Sequence, residues 1–428
     1  MKKVTLLLML GLMVALTSSL RVAPLSASEV EASVGACDRS QIDLTGEWLF
    51  QADREDAGVK AAFFAADFDA SGWRHVNVPI GFDQCGYDMD RYQGVGWFRR
   101  TIYVPSKVRG QRVVLHFEGI NYNAWVWVNG KHVGDNEDAF LPFDLPVTDE
   151  LCYGQDNLIV VRVDNIRNRP KCQFPLFEGW FGQGGFLREA NIAATDLVYV
   201  DHVRITAEPE GSTGKLLLQV MVTNSGSEQA TGTIEVEIQD ALGKQAATLS
   251  SDSMNLAGGA EGILCIEDNV ADIIPWSPDH PALYTARVRL LSGDEQIDSV
   301  STRFGFRRVE ARKGQILLNG KPIFLMGFNR HEDSPTKGMA VDLEQARADL
   351  LDMKSIGANY VRLCHYPHHP GELDLCDELG MLVMIENAMN EWGHGEVQPR
   401  LGGWRCSGFG IQQGLHSFVR AAQGPKHV

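Results

Sequence analysis

Residues 342–386, DLEQARADLLDMKSIGANYVRLCHYPHHPGELDLCDELGMLVMIE, carry the pattern that fixes the architecture of the C-terminal part of the chain. Apolar residues recur at helical spacing from Leu343 to Ile356. Asp342 is a candidate N-cap, and Gly357 is a candidate stop. This part of the stretch therefore predicts one capped amphipathic helix.

The residues around this helix predict strands and a second helix. Ile323 to Gly327 indicates a buried strand before it, and Tyr360 to Leu363 indicates a strand after it. A second helix is predicted from Glu372 to Glu378, followed by a third strand from Met381 to Ile385. Alternating strands and helices are typical of parallel α/β units, here the first strands of a (β/α)₈ TIM barrel that is incomplete.

Polar side chains follow each of the three predicted strands. These residues are Asn329, Arg330, His331, His365, Glu386 and Asn387. In a (β/α)₈ barrel the residues after the strands line the active-site face. Any one of them alone is an ordinary loop residue, but three consecutive strands that end this way favour a ligand-facing rim.

The N-terminal two thirds of the chain predict two β domains. Residues 40–200 contain short β-branched and aromatic runs such as Arg112 to Phe117 and Ala124 to Val128, and Asn129-Gly130 is a preferred hairpin turn. This pattern favours a jelly-roll sandwich. Residues 201–311 alternate apolar and polar positions, which is typical of an immunoglobulin-like sandwich. Residues 312–396 form the barrel portion.

Composition excludes some classes of partner. The net charge of −16 argues against nucleic acid and anionic membranes as partners, and an apolar content of 44% is sufficient for globular cores. Residues 1–27 combine Lys2 and Lys3, an apolar run and small residues, the order of a secretory signal peptide. We therefore expect a secreted or periplasmic protein without a membrane partner after cleavage. The oligomeric state is not readable.

The cysteines show no close pairs of the spacing that structural zinc sites use. Most are interpreted as small buried apolar residues. Cys152 and Cys172 are one candidate disulfide, which the sequence alone does not assign.

An ordered set of motifs resembles family-two glycoside hydrolases of the β-galactosidase and β-glucuronidase type. The N-terminal motifs are Gly46-Glu47-Trp48, Gly96 to Arg100, Phe117-Glu118-Gly119, Trp127 to Gly130 and Gly184-Gly185. The middle motifs are Trp276-Ser277-Pro278, Leu283-Tyr284 and Phe304 to Arg307. The C-terminal motifs are Gly327 to Glu332, Val361-Arg362, His365-Tyr366-Pro367, Leu375 to Gly380 and Glu386.

The resemblance implies hydrolysis of terminal β-glycosides with retention of configuration. That mechanism needs two carboxyl groups about 5–5.5 Å apart. It also implies that His331 and His365 bind sugar hydroxyls or stabilise the transition state. Asn329 and Asn387, which also follow predicted strands, are predicted to belong to the same substrate-binding rim. Glu386 would lie at the sugar and, in the galactosidase subgroup, ligate Mg²⁺; no cofactor is certain.

The same resemblance predicts a catalytically incomplete chain. A barrel takes about 250 residues, but only about 116 follow Arg312. Asn390-Glu391 has the acid/base dipeptide of the family, but it follows Glu386 by five residues and is interpreted as a loop. Residues 397–428 contain no Asp or Glu and predict an aberrant tail from a frameshift or a truncated gene model.

Two alternatives to a glycosidase stay open at this point. In the first, a non-catalytic carbohydrate-binding module stacks tryptophans on sugars. The candidates are Trp48, Trp73, Trp97, Trp125 and Trp127. Core packing is the more ordinary role for such residues. In the second, the chain is a folding fragment without function. Substrate choice is also open, since Glu332-Asp333 leans toward glucuronidases and Asn329 to His331 toward galactosidases.

Overall fold

The computed structural model describes residues 39–137, 139–166 and 183–386. Asn387, Asn390-Glu391, the predicted signal peptide at 1–27 and the predicted tail at 397–428 therefore lie outside the described residues. None of the helices in the described ranges is long and apolar enough to cross a membrane.

The jelly roll comprises the strands of the N-terminal part. They are β1 (Ser40–Asp43), β2 (Gly46–Asp53), β3 (Arg74–Val78), β4 (Ile80–Gly81), β5 (Val95–Val104), β6 (Arg112–Phe117), β7 (Ile120–Asn121), β8 (Asn123–Val128), β9 (Lys131–Asn136), β10 (Phe143–Pro146), β11 (Gln155–Asp164), β12 (Gly185–Phe186) and β13 (Ala190–Thr195). Sheets of order β1-β13-β6-β10 and β3-β2-β5-β11-β8-β9 enclose an apolar core, and β4-β12-β7 forms a smaller sheet.

The predicted hairpin turn in this domain is confirmed. Asn129 and Gly130 join β8 to β9 with φ angles of 51° and 82°, the left-handed region that a tight hairpin requires. Strand β8 begins one residue before the predicted run, and β6 has the predicted bounds.

The second β domain is an immunoglobulin-like sandwich. Its strands are β14 (Val198–Glu210), β15 (Thr213–Asn224), β16 (Ala230–Gln239), β17 (Gln245–Ser250), β18 (Met254–Leu256), β19 (Glu261–Val270), β20 (Tyr284–Ser292) and β21 (Glu295–Phe304). One sheet has the order β14-β15-β19 and the other β17-β16-β20-β21, with β18 also on β16. Leu216, Leu218, Val220 and Val222 alternate into the core as the period-two pattern predicts.

The C-terminal part begins with an antiparallel sheet and continues as the first barrel strands. The small sheet holds β22 (Val309–Arg312), β23 (Gln315–Leu318) and β24 (Lys321–Pro322). The barrel portion holds β25 (Gly327–Arg330), α1 (Leu343–Ser355), β26 (Tyr360–Leu363), α2 (Pro370–Leu379) and β27 (Leu382–Ile385). β25, β26 and β27 pair in parallel in that order.

The caps predicted for the helices are present. The Asp342 carboxylate accepts a hydrogen bond from the Gln345 backbone N–H at 2.9 Å, as an N-cap should. Gly357 has a φ of 90° just after α1, and Gly380 ends α2 in the left-handed conformation.

The prediction of a buried strand from Ile323 to Gly327 is wrong in position and in burial. The strand begins at Gly327, and the side chain of Phe324 before it is 83% exposed. Asn359 fixes this approach by donating to the Phe324 carbonyl and accepting from the Met326 N–H, both at 2.9 Å. Among the described strands β25 lies at the edge of its sheet, and beside it Phe324 and Met326 are exposed while Ile323 and Leu325 are partly buried.

Candidate functional site

The three barrel strands end level with one another. Arg330, Leu363 and Ile385 are register partners across the sheet. The residues that follow them therefore meet at one edge of the sheet, which is the edge that carries active sites in (β/α)₈ barrels. They include His331 and Glu386.

Arg362 joins the predicted site residues into one cluster. Its Nε donates to Glu386 Oε1 at 2.6 Å, and its Nη1 donates to Asn329 Oδ1 at 3.3 Å. The other Glu386 oxygen lies 3.0 Å from His365 Nδ1. The side chains of Arg362, His365 and Glu386 are 29%, 32% and 21% exposed, so the cluster is open to a solute.

His331 lies beside His365 in this cluster. The two ring centroids are 5.0 Å apart at an interplanar angle of 67°. Burial and, second, the neighbouring His365 lower the pKa of His331 below its ordinary value. His331 is therefore a neutral imidazole near pH 7, able both to donate and to accept a hydrogen bond.

A buried cluster of ion pairs lies next to the residues at the strand ends. Arg330 donates to both oxygens of Glu372 at 2.9 and 3.0 Å and also pairs with Asp349 at 3.0 Å. His368 Nδ1 lies 2.9 Å from Glu372, and its Nε2 lies 3.1 Å from the Cys364 carbonyl. Arg330, predicted as a rim residue, is only 4% exposed and serves this framework instead.

Residues of the jelly roll contact the loops that follow β25 and β26. Arg188 pairs with Glu332 at 2.7 Å and donates to the Pro367 carbonyl at 2.8 Å. Burial alone would raise the pKa of Glu332, but the charge of Arg188 outweighs it and the pKa is lowered. His369 Nε2 lies 2.7 Å from the carboxylate of Glu189, the residue that follows Arg188 in the jelly roll. The loops after β25 and β26 are thus fixed by charges from the N-terminal domain.

Comparisons with known proteins agree with this order of three domains. Residues 36–173 match the sugar-binding domain of glycosyl hydrolases family 2, residues 198–307 match that family's own model, and residues 309–402 match its TIM barrel domain. The chain belongs to glycoside hydrolase family 2.

Relatives in this family carry both of the expected names. A β-galactosidase of Thermoanaerobacter pseudethanolicus is 29% identical over 83% of this chain and 47% of its own length. A β-glucuronidase of Paenibacillus borealis is 28% identical over 80% of this chain and 58% of its own. The crystal structure of a Bacteroides uniformis β-glucuronidase superposes with a TM-score of 0.73 at 26% identity, covering 82% of this chain and 42% of that one. The chain therefore spans about half the length of these relatives.

The described residues do not fit the Mg²⁺ that the family resemblance implies at Glu386. Mg²⁺ requires a near-octahedral set of oxygen ligands. Both Glu386 oxygens already contact Arg362 and His365, and a guanidinium 2.5 Å from Oε1 repels a divalent cation. The described residues therefore give no support to the predicted Mg²⁺ at Glu386, which is left untested.

Four of the five predicted site residues lie together in the family-two rim. Asn329, His365 and Glu386 contact Arg362, and His331 packs against His365. The fifth, Asn387, lies outside the described residues. Whether they bind substrate stays a prediction.

Sequence reasoning missed the organising role of Arg362. A parallel strand covered on both faces is usually an apolar run. In Tyr360 to Leu363 the arginine interrupts that run, while Val361 and Leu363 are buried. This interruption is the feature of the sequence that could have indicated the role of Arg362, because a charged residue in a largely buried strand needs a polar or charged partner.

The tryptophans proposed as sugar platforms in the alternative interpretation lie largely in the jelly-roll interior. Trp48, Trp73, Trp97 and Trp127 are 1%, 7%, 0% and 7% exposed. Trp125 is partly exposed, but its ring is covered by the guanidinium of Arg162 at 4.2 Å. Four of these rings therefore pack the domain interior, and the fifth already stacks against a guanidinium.

Proposed function

We propose that the rim formed by Asn329, His331, His365 and Glu386 binds the terminal sugar of a β-glycoside. The observation that carries the proposal is the Arg362 cluster, which gathers an amide, an imidazole and a carboxylate at the ends of parallel strands. Such groups, fixed and partly exposed, match the alternating donors and acceptors of sugar hydroxyls.

The choice between a galactoside and a glucuronide is part of this proposal. Glu332, whose presence leaned toward the glucuronidase subgroup, is 4% exposed and paired with Arg188. It therefore supports the loop and does not contact a ligand directly. Galactose and glucuronate are the two sugars to compare, since relatives of both names match the chain.

We also propose that the 428-residue polypeptide by itself binds sugar without hydrolysing glycosides. Retaining hydrolysis needs an acid and a nucleophile about 5–5.5 Å apart, supplied in this fold from strand ends around a closed barrel. The described barrel portion supplies three parallel strands, and the chain spans about half the length of relatives of both names.

Equilibrium binding of galactose and glucuronate by calorimetry tests the sugar site. His365→Ala and Glu386→Gln should each weaken binding by about tenfold, because each removes a hydrogen-bonding group at a desolvated contact. The matched controls His280→Ala and Glu267→Gln alter exposed positions of the immunoglobulin-like domain and should leave affinity unchanged. Equal affinities for all four variants, or no binding of either sugar by the unmodified chain, would reject the site.

Secretion to the periplasm or the medium is proposed from residues 1–27 alone. Mass spectrometry of the mature N-terminus after expression with its leader tests it. Cleavage near Ala27 is expected, and an intact Met1 in the recovered protein would reject secretion.

A further inference from the structure

His369 is the N-cap of helix α2, a position that serine, threonine, aspartate and asparagine usually occupy. Its Nδ1 accepts a hydrogen bond from the Gly371 backbone N–H at 2.9 Å. Pro370 lies between them and has no N–H, so Gly371 carries the first free donor of the helix. A ring nitrogen accepts only while it carries no proton, so this cap requires a neutral His369 ring.

The other ring nitrogen of His369 binds the jelly roll. With Nδ1 as the acceptor, Nε2 carries the hydrogen and donates it to Glu189 Oε2 at 2.7 Å. A carboxylate at this distance stabilises an imidazolium and therefore favours the charged ring. The two contacts make opposite demands on His369, because the cap needs a neutral ring and Glu189 favours a charged one.

Several elements place charged groups around His369. They are Arg188 and Glu189 between β12 and β13, Glu118 after β6, Glu332 in the loop after β25, and His368 and Glu372 of its own segment. Burial alone would lower the pKa of His369, but the hydrogen bond to Glu189 and the charge of that carboxylate outweigh burial and raise it. The ring therefore takes up its proton close to neutral pH.

The segment that ends at this cap begins at the rim. Residues 364–369 join β26 to α2 and carry His365 of the proposed sugar site. Arg188 fixes the middle of the segment by donating to the Pro367 carbonyl at 2.8 Å. At its end, the His369 backbone N–H donates to Glu332 at 3.2 Å, and the ring makes the cap. A change at His369 is therefore transmitted to His365 along a short, anchored segment.

We propose that His369 is a pH-dependent positioning residue of the sugar site. Its neutral ring caps α2 and holds residues 364–369 in the arrangement that binds sugar, and its protonation releases the cap. This inference rests on the proposed sugar binding at His365 and adds a regulation to it.

The step needs only a proton from solvent. Nδ1 takes up the proton, the hydrogen bond from the Gly371 N–H breaks, and the ring stays bound to Glu189 through Nε2–H. The Glu189 side chain is 45% exposed, so solvent reaches the pair. Sugar affinity should be highest above the pKa of His369 and fall as pH decreases through it.

Substitution of His369 by asparagine separates capping from titration. Asparagine is a favourable N-cap and takes up no proton in this range, so His369→Asn keeps the acceptor and removes the pH dependence. Galactose and glucuronate affinities of the full chain are measured by calorimetry between about pH 8 and about pH 5.5. We expect equal affinities at the upper pH. On acidification, the unmodified chain should lose about fivefold more affinity than the variant, a factor that corresponds to ~1 kcal/mol.

Substitution of Glu189 tests the opposing contact. Glu189→Gln keeps an acceptor for the Nε2–H but removes the charge that favours the protonated ring, so the fall in affinity should move to lower pH. The matched controls are His75→Asn and Glu47→Gln, which alter an exposed histidine–glutamate pair of the jelly roll with a separation of 3.2 Å. Neither control should change the pH profile.

Nuclear magnetic resonance of the ring nitrogens makes the test independent of sugar. At the upper pH, the His369 ring, assigned by its absence in His369→Asn, should carry its hydrogen on Nε2. The backbone amides of His365 and Tyr366 should shift with the midpoint of His369, and this step should be absent in His369→Asn. If neither sugar binds, the sugar site is rejected, and these shifts still decide whether His369 controls the rim.

Three results would overturn the proposal. They are a proton on Nδ1 at the upper pH, the same pH dependence of the affinity or of the amide shifts in His369→Asn, and a midpoint that Glu189→Gln does not lower. Circular dichroism checks that each variant is folded, and Glu189→Gln keeps the test decisive if His369→Asn does not fold.

Discussion

The barrel portion has two contrasting surfaces. Toward the jelly roll it buries ion pairs, with Arg188 and Glu332 only 3% and 5% exposed at the side chain. Along β25 and α1 it instead leaves Phe324, Phe328 and Ile356 83%, 46% and 66% exposed among the described residues. On the first surface, the buried charges are paired with opposite charges within the chain. The second carries apolar area that costs free energy in water.

The contact with the immunoglobulin-like domain resembles the first surface. Trp276 is 1% exposed and its Nε1 donates to the Asp377 carbonyl at 2.9 Å. Arg303 and Glu378 pair at 2.5 Å beside it. Both β domains therefore bind the barrel portion through specific polar partners, and the rim is positioned before any ligand arrives.

The largest effect is expected for Arg188→Ala. It leaves the Glu332 carboxylate buried without its cation, which should lower the free energy of unfolding by about 3–5 kcal/mol. The matched control, Arg289→Ala, breaks an exposed pair with Glu235 and should cost less than about 1 kcal/mol. Urea denaturation measures both. Equal losses would show that the buried Arg188–Glu332 pair contributes no more to stability than the exposed Arg289–Glu235 pair.

The stability of the protein should also depend on pH through His116, a buried residue of β6 in the jelly roll. Burial alone would lower its pKa, but hydrogen bonds from its ring to Asp144 and Glu118 raise it from 6.5 to about 9. Since the folded pKa is raised, this stabilisation is complete below pH 6.5 and is lost as pH rises through 9. Between these values the unmodified chain should lose about 3 kcal/mol more than His116→Gln. Parallel stability curves for the two proteins would contradict the assignment.

A smaller effect is expected at the immunoglobulin-like contact. Trp276→Phe keeps an aromatic ring but removes the N–H that satisfies the Asp377 carbonyl. The loss in free energy of unfolding should be about 1–3 kcal/mol, the cost of an unsatisfied buried acceptor. Thermal and urea denaturation measure it, and an unchanged midpoint would mean that water replaces the indole there.

The smallest effect on stability, with a visible effect on association, is expected for Phe324→Ser. The free energy of unfolding should change by less than about 0.5 kcal/mol, because the side chain is exposed. Self-association by sedimentation velocity should decrease, since exposed apolar area and an edge strand promote it. Tyr87→Ser, at an exposed jelly-roll aromatic, is the control and should not alter association. If the unmodified protein is monodisperse at high concentration, the exposed apolar residues around Phe324 do not promote self-association and the prediction is wrong.

Local patterns predicted much of the barrel portion from sequence. Tyr360 to Leu363 is a strand with the predicted bounds, and the first helix ends one residue before the prediction. These elements carry their own signals, namely period, caps and glycine stops. Ile323 to Gly327 failed because an apolar run reports hydrophobicity and not whether a partner covers it.

The support of the site was not predictable in the same way. Arg188 contacts Glu332 across 144 positions of sequence, and His369 contacts Glu189 across 180. No local pattern encodes such a pairing, so the sequence did not predict that Glu332 pairs with Arg188. His331, His365 and Glu386 were found because each follows a strand, and parallel register brings them to one edge.

The most direct measurement is turnover of aryl β-galactosides and β-glucuronides by the purified 428-residue polypeptide, alongside sugar binding by the same preparation. We expect sugar binding that depends on His365 and Glu386, with no release of the aryl group above the uncatalysed rate. Sustained release that is abolished by substitution of one of the chain's own glutamates would contradict this account.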